Sequence, residues 1–321
     1  MASAILPLYS MSTVATPARG PRRRRKATKL KRRQTRLAWV LLVPSLAVVA
    51  LVALYPLGKT VFQSFTDEEF LALNPASWVG LENYKDLWND TIFRDSIWTT
   101  LKFTVITVSF EFVLGLTIAL IVNSSFKGRG LMRAVMLVPW AIPTVVAAQM
   151  WKSMLQSNGV ISDAGVRLHI LSEPHAWIAD PSTALAAVCA VDIWKTTPFV
   201  ALLLLAGLQV IPRDLYEAAE VDGAKPLQQF WKITLPLLRP ATFLLLILNV
   251  IHSFQVFDLI YVMTGGGPGF STTMLVQYIY QSAFMTSEMG YASAIGVVLY
   301  VIVLGFTIIQ WRVSRQSENV L

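Results

Sequence analysis

The sequence predicts an all-α integral membrane protein with six spans. Its composition, its apolar runs of membrane length and the placing of its basic residues all point there. Hydrophobic residues fill 55% of the 321 positions and charged residues only 14%, whereas ordinary soluble domains are about 25% charged. A bilayer core of about 30 Å is crossed by about 20 helical residues. Six runs reach that length: Leu37–Leu57, Thr100–Val122, Ala134–Leu155, Thr183–Val210, Ala241–Met263 and Met289–Trp311. With the N-terminus inside, 20 of the 27 Lys and Arg fall on the cytoplasmic side. The positive-inside rule therefore puts both termini, and the stretch between the fourth and fifth runs, in the cytoplasm.

Residues 1–36 form a basic tail with 11 Lys and Arg, including Arg22–Lys26. No aromatic residues interleave the basic run from Arg22 to Arg36 and an apolar span follows directly, so the tail reads as a disordered cytoplasmic anchor attracted to anionic lipid rather than a nucleic-acid arm. Either Met1 or Met11 can serve as the start. The first apolar run is too long for a cleaved signal peptide and lacks an A-x-A end; it is expected to stay as a signal anchor. The outer segment 58–99 carries Trp78, Tyr84, Trp88 and Trp98, which suits short pieces lying along the membrane interface, with ligand contact as the alternative.

Pro139 and Pro143 interrupt the third run and Pro198 the fourth, so kinks are expected there, with the freed carbonyls facing protein or a cavity. Ionisable groups inside the runs include Glu111, Asp192, Lys195, His252 and Asp258; such groups are costly in hydrocarbon and usually face the bundle interior or a water-filled path. Asp192 and Lys195 are three apart on a helix and are expected to pair, with Lys195 snorkelling outward. Asp192, Asn249, Ser253, Gln255, Asp258 and Tyr261 make a candidate substrate path, because neutral hydrogen-bonding groups beside an aromatic face suit a sugar. Polar helix packing is the competing use. His252 has no partner three or four residues away, which gives no support to a proton relay or metal site. The lone Cys189 excludes an internal disulfide and sits in an apolar run as a small core residue; no Cys/His cluster has metal-ligand spacing. The residues 264–269, with Gly265, Gly266, Gly267 and Pro268, permit turns that other residues cannot make. No G-K-[ST] follows them, and they face away from cytoplasmic ATP, so a phosphate loop is disfavoured.

The polar island 211–240, IPRDLYEAAEVDGAKPLQQFWKITLPLLRP, separates two apolar runs. Pro212 suits a first helical turn, Leu215, Ala218, Ala219 and Asp222 share one face, and Gly223 fits a left-handed cap. Pro226 is expected to open a second helix and Pro236 to close it. Glu217-Ala218-Ala219, then Gly223, Ile233 and Leu235-Pro236, stand at the spacing of the EAA signature, and the chain resembles ABC importer permeases of that type. The 264–269 loop is similar to the TGGGP loop of maltose-type sugar permeases. The resemblance runs from Leu37 to Trp311.

It implies a six-span type I importer permease domain over 37–311, with residues 312–321 as a cytoplasmic tail, in the cytoplasmic membrane of a prokaryote. Glu217, Ala218, Ala219, Asp222, Gly223, Ile233, Leu235 and Pro236 would dock into and couple to an ATPase subunit, and the glycine loop would face a binding protein. Implied partners are a second homologous permease, an ABC ATPase dimer holding ATP and Mg, an extracytoplasmic solute-binding protein, a sugar and membrane lipid, with no nucleic acid. This chain carries no ATP-binding motif and is expected to have no enzymatic activity or cofactor of its own. The expected solute is a neutral sugar or related glycoside; glycerol 3-phosphate or a glycerophosphodiester is the alternative. A secondary transporter would share the spans without requiring the EAA loop. An intramembrane enzyme would need a constellation such as H-E-x-x-H or G-x-S-x-G, which is absent from the sequence.

Overall fold

Prolines and close helix contacts decide how the apolar runs are cut and stacked. The computed structural model describes the backbone of residues 29–71 and 75–318, and the side chains of 34–71 and 75–313. The Arg22–Lys26 run, both candidate start methionines and residues 319–321 lie outside the described residues. Two compact units divide at Pro56 and Leu57, and each is described by itself.

The first unit holds α1 (Lys29–Val49), which carries Pro44 inside it, and a π turn at Ala50–Leu54. Helix α2 (Tyr55–Gln63) follows. The apolar helical stretch is longer than the sequence suggests, running from Gln34 to Gln63.

In the second unit the segment after α2 folds back on itself. Thr66 bridges to Trp78, whose ring stacks on Phe65 at 5.4 Å, and Tyr84 meets Ser64 Oγ at 2.7 Å. Trp88 and Trp98 point outward. Helix α3 (Glu82–Asn89) leads to the 33-residue α4 (Thr91–Asn123). Asp90 caps α4 by accepting from the Ile92 amide at 2.8 Å, as an N-cap carboxylate should.

The third run is not one helix. Helices α5 (Arg129–Met136) and α6 (Val138–Ala141) end at Ile142, and α7 (Thr144–Met154) leaves at 88°. Ile142 is extended, as a residue before proline prefers to be, and Pro143 has no N–H to continue the ladder. Pro198 behaves otherwise. After α8 (Val160–Arg167), α9 (Ala184–Val210) runs through it unbroken. Helix α9 packs along α4 in the most extensive helix pair among the described residues and also touches α12, so flanking helices hold its course.

The chain continues as α10 (Asp214–Val221), α11 (Pro226–Gln229), a π turn at Phe230–Thr234 and α12 (Leu235–Gln255). Pro236 does not close a helix as expected. The π turn widens the ladder just before it, and the helical run passes Pro236 and Pro240 into α12; proline inside a helix commonly requires such an adjustment. The last elements are α13 (Asp258–Met263), α14 (Leu275–Tyr280), a π turn at Gln281–Met285 and α15 (Met289–Glu318). Among the described residues five helices are long and apolar enough to span, or six with the bent pair counted as one.

Small residues set the spacing of these spans. A Cβ on Gly115 of α4 would lie 2.5 Å from Val200 Cγ1 of α9, and Ala119 and Ala201 are fully buried at the same seam. Without a hydrophobic drive between helices in lipid, such close van der Waals fit carries the association. Cys189 is a free, buried thiol in the core beside Val188 and Leu259.

Candidate functional site

The polar island folds into a knob with a fixed root and an open face. Helix α10 ends in a Schellman cap: the Ala224 amide donates to Ala219 O at 2.8 Å and the Gly223 amide to Glu220 O at 3.0 Å, with Gly223 at φ +77°. Gln228 Oε1 accepts from the Lys225 amide at 2.9 Å and closes the start of α11. At the root, the Tyr216 hydroxyl meets Thr234 Oγ1 at 2.9 Å. Tyr216 and Ile233 pack on the core formed by Leu204, Leu208 and Leu238. Sequence periodicity overlooked Tyr216 because one tyrosine in a polar helix gives no signal of its partner.

Glu217, Ala218, Asp222 and Gly223 stay open to solvent. So do four large apolar side chains: Val221 (88% exposed), Leu227 (69%), Trp231 (60%) and Leu215 (43%). Ala219, Asp222, Gly223 and Ile233 help line a groove of about 420 Å³. Leu235 and Pro236 are half-buried at the start of α12. Four large apolar side chains in water on so small a knob are more than a plain connector between spans needs.

Two helix breaks meet inside the bundle. The α6–α7 break opens a cleft of about 570 Å³ lined by Trp140, Ile142, Thr144, Lys195, Phe199, Asn249 and His252, with Trp140 and Phe199 stacked at 5.9 Å. The α12–α13 break at Val256 adds a smaller one of about 120 Å³, lined by Asp192, Gln255, Phe257 and Asp258. Thr144, Lys195 and His252 belong to both. The expected Asp192–Lys195 pair does not form. Lys195 Nζ donates instead to Ile142 O at 2.6 Å, a carbonyl that the Pro143 break leaves without its helical partner. Asp192, at 3% exposure, turns toward Glu111 across the α4–α9 seam.

The six path candidates thus separate. Asn249 Nδ2 donates to Glu111 Oε2 at 2.6 Å, Ser253 Oγ lies 3.5 Å from Thr107 Oγ1, and both are buried with Asp192. Gln255, Asp258 and Tyr261 are exposed. Residues of the cleft that the sequence reading did not place there are Trp140, Thr144 and Phe199. Pro143 was the available signal, since a broken helix at membrane depth must line protein or a cavity.

The glycine loop is built from the inside. Gly265 and Gly266 have φ of +64° and +93°, and the Gly267–Pro268 peptide is cis. Gly266 admits no side chain, because a Cβ there would lie 2.6 Å from Thr273 Oγ1. Thr273 Oγ1 donates to Gly266 O at 2.9 Å, Thr272 Oγ1 to Gly267 O at 2.7 Å, and Gln277 and Gln281 amides donate to Gly265 O at 3.3 and 3.2 Å. The loop is therefore a braced turn.

A second hub ties the junction of α3 and α4 to α14 and α15. Tyr291 donates to Asp90 Oδ2 at 2.6 Å and Tyr278 donates to the same oxygen. Burial pushes the Asp90 carboxyl up, but these two hydroxyls with the Phe93 and Ile92 amides hold it below its ordinary value. Burial, then the bond to Asp90, pushes the Tyr278 phenol up to about 12. Among the described residues no group of three or more His, Cys, Asp or Glu could hold a metal ion.

Residues 111–317 match the family described as binding-protein-dependent transport system inner membrane component. The trehalose/maltose transport system permease protein MalF of Thermococcus litoralis is 42% identical over 294 residues, covering 90% of this chain and 97% of its own length. The sulfoquinovosyl glycerol transport system permease protein SmoG of Agrobacterium fabrum is 40% identical, covering 88% of this chain and 91% of its own. Among solved structures, a bacterial ABC transporter that imports the acidic polysaccharide alginate shares the fold. Its TM-score is 0.78 at 24% identity, over 90% of this chain and 99% of that one.

Proposed function

From the premise that the chain belongs to the family of binding-protein-dependent transport system inner membrane components, we propose that it takes a neutral glycoside from an extracytoplasmic binding protein and passes it inward by alternating access. It is a multi-pass membrane protein and the permease of a sugar ABC importer. A second homologous permease completes the path, and a pair of ATPase subunits, holding ATP and Mg, does the hydrolysis. Both termini and the 211–240 knob face the cytoplasm. Glu217, Ala218, Ala219, Asp222 and Gly223 form the docking face, while Ile233, Leu235 and Pro236 carry its motion into α12. Gly265, Gly266, Gly267 and Pro268 face the binding protein. Gln255, Asp258 and Tyr261 touch the solute, with Asn249, Ser253 and Asp192 fixing the helices behind them.

The observation that carries this reading is the knob itself, with Val221, Leu227 and Trp231 left exposed while Tyr216 and Thr234 lock its root. A surface that only joined two spans would not need large apolar side chains in water. An anionic glycoside is the second reading, favoured by Lys195, whose ammonium lines both clefts and uses one of its three donors on Ile142 O.

The experiment is ATPase activity of the co-purified complex in lipid, with binding protein and a panel of neutral disaccharides, sulfonated glycosides and glycerophosphodiesters. Stimulation by a neutral disaccharide is expected. Stimulation by anionic solutes alone, abolished by Lys195→Met, would favour the second reading. An intact preparation with no ATPase subunit would overturn the importer reading and favour a secondary transporter.

A further inference from the structure

We propose that five aromatic rings on the outer side of the cleft form a stacking lane for the pyranose rings of the solute, a proposal that rests on the importer reading above. The rings come from three separate segments of the second unit. Phe70 meets Phe284 at 5.1 Å, Phe284 meets Tyr280 at 5.3 Å, and Tyr280 meets Phe257 and Tyr261 at 5.1 and 5.2 Å.

The ladder is held from behind. The Phe70 amide donates to Ser287 O at 2.8 Å, and Glu69 bridges to Glu288. Gln281, next to Tyr280, is tied to Gly265 O. Yet the front is open: Phe284 is 49% exposed, Tyr261 42% and Phe70 37%. At its inner end Phe257 stands in the wall of the cleft with Gln255 and Asp258.

A pyranose offers an apolar C–H face and a rim of hydroxyls. Aromatic faces take the first, and phenol, amide and carboxylate tips take the second. The Tyr261 and Tyr280 hydroxyls lie 3.5 Å apart within the ladder, which leaves both with hydrogen-bonding capacity at its surface. Residues of a lipid-interface belt would instead aim separate polar tips at the headgroups. Continuity from an outer loop to the wall of the cleft is what a conducted solute needs, and neither a lipid contact nor a permease–permease contact requires it.

The test uses the complete complex in lipid with its binding protein, and trehalose and maltose as probes. Cys189 is buried and is this chain's only native cysteine, so Phe284→Cys gives this subunit one accessible thiol, whose labelling is read on the separated permease band. A membrane-impermeant maleimide should label it, and a probe that stimulates the ATPase should slow labelling about threefold or more. Tyr280→Leu should raise the KM for solute-stimulated ATPase by about two- to tenfold with kcat little changed, and Tyr280→Trp should restore it.

An unchanged labelling rate in a complex whose ATPase the same sugar stimulates would overturn the lane while leaving the importer intact. Absence of labelling in every state would also overturn it, placing the ring against lipid or the second permease. A wild-type complex stimulated by neither probe would fail the neutral-glycoside reading first and take the lane with it.

Discussion

Replacing Tyr216 with phenylalanine removes one oxygen from the root of the knob and leaves the ring in place. The Tyr216 hydroxyl and Thr234 Oγ1 lie 2.9 Å apart, where either can donate, and Thr234 Oγ1 also reaches Gln229 O at 3.5 Å as donor. Thr234 is buried at 5% exposure, but its own donor keeps the Gln229 carbonyl. The loss is therefore that of one neutral hydrogen bond without a stranded donor, about 0.5–1 kcal/mol. That is up to about fivefold in the balance between attached and detached knob. Tyr216→Ala also removes a half-buried ring from the Leu204, Leu208 and Leu238 cluster, bringing the cost toward the lower part of the roughly 3–5 kcal/mol range for large-to-Ala changes. The assay is solute uptake per ATP hydrolysed in the reconstituted complex. The ratio should fall modestly for Tyr216→Phe and by tenfold or more for Tyr216→Ala, about 1.4 kcal/mol per decade, while ATP hydrolysis persists. An unaltered ratio in Tyr216→Ala at normal complex yield would refute the idea that the knob drives α12 through this root.

Further expectations bear on the cap, the polar seam and the Asp90 hub. Gly223 has φ +77° with open space where a Cβ would go, so only the backbone angle requires glycine. Gly223→Ala should cost about 1–2 kcal/mol and Gly223→Val more, and uptake with membrane levels held equal reads the difference; normal uptake in Gly223→Val would remove the cap from the coupling. Asn249→Ala strips Glu111 Oε2 of its 2.6 Å donor and should cost about 1–3 kcal/mol in thermal stability of the complex. Asp258→Ala and Gln255→Ala should leave melting alone and shift the solute dose dependence; the reverse pattern would exchange their roles. Asp90 is held below its ordinary value and Tyr278 is raised to about 12. Their link should thus be at full strength between about pH 4 and 10, weakening as pH falls through the lowered carboxyl or rises through the raised phenol. Asp90→Asn keeps an N-cap side chain and should flatten the acid limb of a melting-temperature profile; an unchanged limb would place the acid sensitivity elsewhere.

Much of this molecule is legible in its residues because hydrocarbon tolerates so few solutions. Apolar runs about 20 residues long must be helices, since no water remains to satisfy the backbone. Gly223 reads as a left-handed cap because only glycine takes that angle freely. The glycines at 265–267 read as a turn for the same reason. What pattern alone leaves open is the partner of each polar group. Asp192 and Lys195 look like an ion pair at helical spacing, yet the distant break at Pro143 leaves the Ile142 carbonyl for Lys195, and Asp192 is buried beside Glu111 of another helix. Pro143, Pro198 and Pro236 carry the same local chemistry and have three outcomes: a bend of 88°, an unbroken helix and a π-widened turn. Local sequence determined which segments are helical and where the knob must sit, because these follow from backbone hydrogen bonding and periodicity along the chain. Which prolines break, which polar residues face the cleft and which rings line up outside it were decided only by tertiary packing, because each depends on what a distant helix places alongside.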